Sequence, residues 1–143
     1  MRKSLQKVKS CMGNDSVNCG DWLLKALNDL KAAKGILGYY EDPPTDTICY
    51  HCHQTAEKML KGFLVRKGIK FGKMHDLIAL LNLCLLSEQS LGNLRSELES
   101  LNKYYIETRY PPDMPIIYPK QEAEEAVNKA EFVFEAIKDR IAV

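Results

Sequence analysis

The sequence has 143 residues, the usual size of one domain, and a chain of this length can bury enough surface to form one core. Its 20 lysines and arginines nearly balance its 19 aspartates and glutamates, which excludes the strong positive field that draws proteins to nucleic acid by charge alone. No apolar run approaches the roughly 18 residues of a membrane-spanning helix, and the charged start lacks the apolar segment of a signal peptide. We therefore expect a soluble cytoplasmic protein without a membrane partner.

Residues 1 to about 20 are polar and show no helical pattern, so we expect a flexible leader followed by one helical domain over residues 21–143. The first helix is predicted to begin at Asp21, a good N-cap residue. Apolar residues then recur every three or four positions as far as Leu37. Gly38 and the prolines at 43 and 44 end this helix.

The second predicted helix, from about Thr45 to Lys67, has two chemically different sides. The side predicted to be buried carries Ile48, Cys52, Ala56, Met59, Leu60 and Phe63. The opposite, polar side carries Tyr50, His51, Gln54, Glu57, Lys58 and Lys61. His51 and His53 could act in proton transfer, but neither has a serine or cysteine partner at the spacing of a catalytic triad. We therefore expect exposed histidines without a catalytic role.

Two further helices are rich in leucine. The third, from His75 to about Leu86, is apolar nearly all round, which predicts a place at the centre of the bundle. The fourth has a three-four repeat like a coiled-coil seam, which either packs internally or forms a dimer. The seam residues are Leu91, Leu94, Leu98, Leu101 and Tyr105.

The four prolines in residues 109–120 exclude regular helix and predict an extended, functional connection. The last helix is predicted from about Gln121 to Ile141 by apolar residues spaced in threes and fours. No alternating pattern predicts a β-strand between the helices, and the short connections favour antiparallel neighbours. The fold class is therefore all-α, a compact antiparallel bundle of about five helices.

The five cysteines are an odd number at irregular positions, so we expect reduced thiols rather than a disulfide framework. Cys49, Cys52 and His53 have the i, i+3, i+4 spacing with which two thiolates and an imidazole can bind zinc from one helix. The sequence offers no evident fourth ligand. We therefore expect cysteines that fill the core, and neither a metal site nor another cofactor.

Four short motifs in chain order carry a family resemblance. They are Trp22, Ala26, Asp29 and Leu30; His51 with Ala56-Glu57-Lys58 and Lys61; His75-Asp76-Leu77; and Arg109-Tyr110-Pro111. In these motifs the sequence resembles the HEPN domain family over roughly residues 20 to 141. The resemblance implies a helical bundle like the substrate-binding subunits of nucleotidyltransferases, commonly homodimeric and implicated in nucleotide binding. It also implies either a toxin or partner encoded beside a small nucleotidyltransferase, or a metal-independent ribonuclease.

The ribonucleases of the family carry an arginine followed by a histidine after about four to six residues, a pair that can cleave RNA through its own 2′-hydroxyl. Here the nearest such pair is Arg66 and His75, with eight residues between them. The residues after Arg109 contain no histidine. Catalytic residues therefore remain unassigned, and whether the chain is an enzyme stays open.

The candidate site is a nucleotide-phosphate site. The guanidinium of Arg109 can grip a phosphate, Lys58 and Lys61 add charge, and His75 lies near a helix N-terminus that favours anions. The whole predicted nucleotide-binding or partner surface comprises His51, Gln54, Glu57, Lys58, Lys61, His75, Arg109 and Tyr110. In the structural alternative, Arg109 pairs with Glu57 or Asp113, and His75 and Asp76 only cap the third helix.

Three functions follow from these patterns. The first is a HEPN-like nucleotide-binding module, a homodimer that acts with a small nucleotidyltransferase in a toxin–antitoxin-type pair. The second is a divergent metal-independent endoribonuclease that uses Arg109 with His75 or His51 on RNA. The third is a scaffold that dimerises through the leucine seam and takes no ligand.

Overall fold

A computed structural model describes residues 18–105 and 116–142, and this part of the chain is helical without a β-strand. The helices are α1 (Cys19–Tyr39), α2 (Thr45–Arg66), α3 (Leu77–Leu85), α4 (Arg95–Asn102) and α5 (Lys120–Ala142), with a short 3-10 helix (Gln89–Leu94) before α4. The prediction of an all-α bundle is thus confirmed. None of the described helices is long and apolar enough to cross a membrane.

The helix ends follow from local hydrogen bonding. Asn18 caps α1 by accepting a hydrogen bond from the backbone N–H of Asp21, so the helix starts two residues earlier than predicted. α2 ends where Gly68 adopts a positive φ of 69°, a conformation that glycine takes without steric cost. Asp76 caps α3 by accepting from the backbone N–H groups of Ile78 and Ala79, as the structural alternative proposed.

α2 is the central helix of the bundle, packing against α1, α3, α4 and α5. The prediction that the leucine-rich third helix lies at the centre was wrong. α3 has nine residues, whereas α2 has 22, so α3 is too short to pack along the length of the bundle. α3 buries one face, and beyond its end Leu86 is 77% exposed.

Gly62 brings three helices into close contact. A Cβ atom at this position would lie 3.1 Å from Cβ of Trp22 on α1 and 3.2 Å from Cδ1 of Ile141 on α5. The end of α2 therefore meets the start of α1 and the end of α5. α1 accordingly runs antiparallel to both of these helices, and for α1 and α2 the short connection predicted this arrangement.

The leucine seam packs internally. Its four leucines are fully or almost fully buried within the chain: Leu91, Leu94, Leu98 and Leu101. They face α3, α2 and α5, which pack against the 3-10 helix and α4. A dimer through this seam would require the core to open, so the scaffold alternative loses its proposed contact surface.

The four cysteines that the structure describes divide into two groups. Cys49, Cys52 and Cys84 are free and buried, and burial raises the pKa of Cys49 and of Cys84 to about 12, which keeps both thiols protonated and unreactive. Cys19 is disulfide-bonded, so the expectation of reduced thiols was wrong for this residue. The division into a leader and a domain from residue 21 stays a prediction, with α1 beginning at Cys19.

Candidate functional site

Motif residues from three segments of the chain meet along one side of α2. Trp22 and Asp29 reach this side from α1, and His75 reaches it from the loop that precedes α3. On α2 itself the contributing residues are His51, Glu57, Lys58 and Lys61. They form two ion-pair clusters, one built around the partly buried carboxylate of Asp29 and one around the buried carboxylate of Glu57.

The first cluster is centred on Asp29, whose side chain is 12% exposed. It accepts hydrogen bonds from Nδ1 of His51 at 2.8 Å and from the ammonium of Lys58. Burial by itself raises the pKa of Asp29, but the hydrogen bonds from His51 and Lys58 outweigh it and hold the pKa below its ordinary value. The charge of Lys58 is therefore neutralised within the fold.

The second cluster is centred on Glu57, whose side chain is 5% exposed. It accepts from Nδ1 of His75 at 3.0 Å and from Nζ of Lys61 at 3.3 Å. The Lys61 ammonium also lies 5.7 Å from the ring centre of Trp22 and 5.8 Å from that of Phe71. A carboxylate and two aromatic faces thus compensate for the burial of this ammonium.

His75 is held from three directions and still reaches the surface. Its ring stacks on Tyr105 with a centroid distance of 4.4 Å and an interplanar angle of 13°, while Nδ1 bonds to Glu57. Its backbone carbonyl accepts from Nε2 of His53 at 3.1 Å. The side chain remains 41% exposed, and Nε2 has no partner among the residues that the structure describes.

His53 supports this arrangement from inside the core. It is fully buried, and burial lowers its pKa to about 4, so the ring is neutral at pH 7. The side-chain amide of Gln54 contacts Nδ1 of His53 at 3.4 Å. The expectation of an exposed His53 was wrong, because the loop before α3 covers this side of α2 and offers a backbone carbonyl as its partner.

The predicted polar face of α2 is largely covered. Glu57 and Lys61 are buried, and His51 and Lys58 are partly buried against Asp29. A helical wheel separates polar from apolar positions but does not show which side a neighbouring helix covers. Glu57 pairs with His75 and Lys61. The side chain of His75 therefore bonds to α2, whereas the structural alternative had it only cap the third helix.

Two predicted site residues, Arg109 and Tyr110, lie outside the described residues. Of the other predicted site residues, Glu57 bonds to His75, and Lys61 bonds to Glu57. Gln54 reaches this region only through its contact with His53. His51 and Lys58 belong to the Asp29 cluster instead. The role of all eight in binding stays a prediction.

The sequence patterns assigned no site role to Trp22, Asp29 or Phe71. A signal for two of them was present, because Trp22 and Asp29 are seven residues apart, two turns of one helix, and therefore share a face of α1. Phe71 had no such signal, since it lies in the loop between α2 and α3. Its contact with Lys61 exists only in the folded protein.

One other arrangement lies away from these clusters. An open groove of about 430 Å³ between α4 and α5 is lined by Lys103, Tyr104 and Glu122 among others, and in it the hydroxyl of Tyr104 donates to Glu122 at 2.6 Å. Burial, reinforced by this hydrogen bond, raises the pKa of Tyr104.

Within residues 18–105 and 116–142, no three histidine, cysteine or acidic side chains are arranged to hold a metal ion.

The fold and the converging motifs define a family. A sequence model of the HEPN domain matches residues 19–140, so the chain belongs to the HEPN domain family, which confirms the resemblance. The chain is 32% identical over 131 residues to a protein of Methanocaldococcus jannaschii named "Putative toxin MJ1304", a match that covers 82% of this chain and 84% of that protein.

Two solved structures share the fold. TT1696 from Thermus thermophilus superposes with a TM-score of 0.67 at 30% identity, over 85% of this chain and 97% of that one. ST0689, described as an archaeal HEPN homologue, gives a TM-score of 0.66 at 25% identity, over 86% of this chain and 97% of that one. The bundle is thus a known HEPN architecture over most of its length.

Proposed function

We propose that this chain is the toxin-like HEPN module of a two-protein pair, that it binds a nucleotide beside His75, and that its partner is a small nucleotidyltransferase. The observation that carries the proposal is the arrangement of His75. An imidazole stacked on a tyrosine and anchored by a buried carboxylate presents an exposed polar edge. Flat aromatic surfaces and polar edges are the groups that bind bases and sugars.

The comparisons support the toxin-like role. The relative from Methanocaldococcus jannaschii carries the word toxin in its name, and the match extends over most of both chains. Family membership supports the pairing with a nucleotidyltransferase and the homodimer implied by the resemblance. The proposal includes a cytoplasmic location, where nucleotides and RNA are available. Copurification with a nucleotidyltransferase encoded beside this chain is the expected behaviour of the pair.

The charges change the predicted role of the lysines. Lys58 and Lys61 each pair with a carboxylate, so neither supplies an uncompensated charge for a phosphate. In the proposal this task falls to Arg109, whose guanidinium matches phosphate geometry. Arg109 follows Tyr105 by four residues, a stretch of chain that spans at most about 14 Å. Tyr110, His51 and Gln54 remain proposed contacts to the nucleotide or the partner.

Calorimetry with ATP and GTP tests this proposal. We expect saturable binding that Arg109→Ala weakens at least about tenfold, since a charge-assisted contact to phosphate is lost. Arg95→Ala is the matched control, because Arg95 donates to Asn82 on the surface and lies in neither cluster. An absence of binding at millimolar nucleotide, or equal weakening by both variants, contradicts the nucleotide site.

A second candidate function is favoured by the hydrogen bond between His75 and Glu57. A histidine whose Nδ1 is held by a carboxylate can accept a proton at Nε2, as a general base in RNA cleavage must. A metal-independent endoribonuclease would cleave RNA in EDTA and lose this activity in both Arg109→Ala and His75→Ala. Cleavage that persists in both variants comes from elsewhere and excludes this candidate.

A further inference from the structure

The carboxylate of Glu57 is buried and accepts two hydrogen bonds. A carboxylate can only accept hydrogen bonds, and Glu57 accepts one from His75 and one from Lys61. Nδ1 of His75 must therefore carry the hydrogen. A neutral imidazole has one N–H and one lone pair, so Nε2 becomes an acceptor.

A turn of the ring that exchanged its two nitrogens would break the hydrogen bond between Nδ1 of His75 and Glu57. One face of His75 lies nearly parallel to Tyr105, and its backbone carbonyl is bound by the buried His53. Lys61, which also pairs with Glu57, is itself enclosed between Trp22 and Phe71. The acceptor at Nε2 is thus built by several elements, since α1, α2 and the loop before α3 all contribute to it.

An acceptor at Nε2 of His75 favours ligands that can donate a hydrogen bond. Ionised phosphates offer acceptor oxygens only, so they do not match a neutral Nε2. A ribose hydroxyl donates a hydrogen bond, and the 2′-hydroxyl is the group that distinguishes ribonucleotides from deoxyribonucleotides. We propose that Glu57 is a positioning residue that directs Nε2 of His75 to a ribose 2′-hydroxyl, which makes the site selective for ribonucleotides. This inference rests on the proposed nucleotide-binding function.

Calorimetry of the intact chain with two ribose and deoxyribose pairs, ATP with dATP and UTP with dUTP, tests the selectivity. We expect each ribonucleotide to bind about tenfold more tightly than its deoxy counterpart, the effect of one hydrogen bond. A hydrogen bond from a base amino group to Nε2 would instead make ATP bind more tightly than UTP, and each ribonucleotide would bind as tightly as its deoxy counterpart. Equal binding of the sugar pairs overturns this inference and leaves nucleotide binding intact, whereas no binding of any nucleotide overturns both.

The role of Glu57 is tested by Glu57→Gln, which keeps the shape of the side chain and removes its charge. The preference for ribonucleotides should fall in this variant and persist in Glu124→Gln, an exposed glutamate on α5. A purely structural role of Glu57 would lower thermal stability and leave the ratio of the two affinities unchanged. An unchanged ratio therefore overturns the positioning role.

The tautomer can be read without any substitution. The chain has three histidines, so nitrogen-15 NMR of the wild-type protein above about pH 8, where imidazoles are neutral, resolves each ring. We expect His75 to be protonated at Nδ1 and not at Nε2. The opposite tautomer overturns the inference, and this result does not depend on whether Glu57→Gln folds.

Discussion

His53 is a titratable residue inside the core of the bundle. Its ring is fully buried, and the energy of burying it is offset by its hydrogen bond to the carbonyl of His75. Burial lowers its pKa from 6.5 to about 4. The unfolded chain therefore binds a proton at His53 between these two values while the folded protein does not, which destabilises the fold as the pH falls.

We expect His53 to lower the free energy of unfolding by about 2 kcal/mol between pH 7 and pH 5. Urea unfolding of the wild type and of His53→Gln at both pH values measures this difference, which should be reduced in the variant. An NMR titration that shows His53 becoming protonated near pH 6.5 would contradict the assignment. The Asp29 carboxylate acts in a separate range, because its lowered pKa affects stability only below about pH 4.

Helix packing at the end of α2 depends on the absence of a side chain at Gly62. The neighbouring Trp22 and Ile141 lie about as close as a Cβ atom permits, so a larger residue must push α1 or α5 away. Gly35, in α1, has no atom within 4 Å of the position of an added Cβ. The two glycines therefore offer the same substitution in opposite surroundings.

Gly62→Ala should lower the free energy of unfolding by about 1 to 3 kcal/mol, because overpacking outweighs the better helix propensity of alanine. Gly35→Ala should raise it by about 0.5 to 1 kcal/mol, since only the propensity changes. Thermal or urea unfolding of both variants checks the signs. A stabilising Gly62→Ala would show that α1 and α5 adjust without cost.

At the scale of the whole molecule, the central position of α2 makes the described bundle one cooperative unit. The four other α-helices all pack on α2, so each of them loses core contacts when α2 unfolds. The chain has one tryptophan, Trp22, and its fluorescence reports the contact between α1 and α2. Circular dichroism reports all helices together.

We expect the fluorescence and circular dichroism transitions to coincide during urea unfolding, as for a two-state domain. Phe63→Ala, which removes a fully buried ring from α2, should lower the free energy of unfolding by about 3 to 5 kcal/mol and shift both transitions equally. Separate transitions would instead indicate that α1 detaches before the rest of the bundle unfolds.

The sequence by itself determined the helices and the family. Repeats of three and four positions require one apolar face per helix, and glycine, proline and capping residues set the ends, so the all-α fold and the position of α2 along the chain were predictable. Only the tertiary structure decided which side of α2 is covered. Glu57 and Lys61 look like surface residues in a helical wheel, yet Trp22, Phe71 and His75 enclose or bind them. Burial and ion pairing depend on contacts between residues far apart in the chain, and a local sequence pattern does not contain information about those contacts.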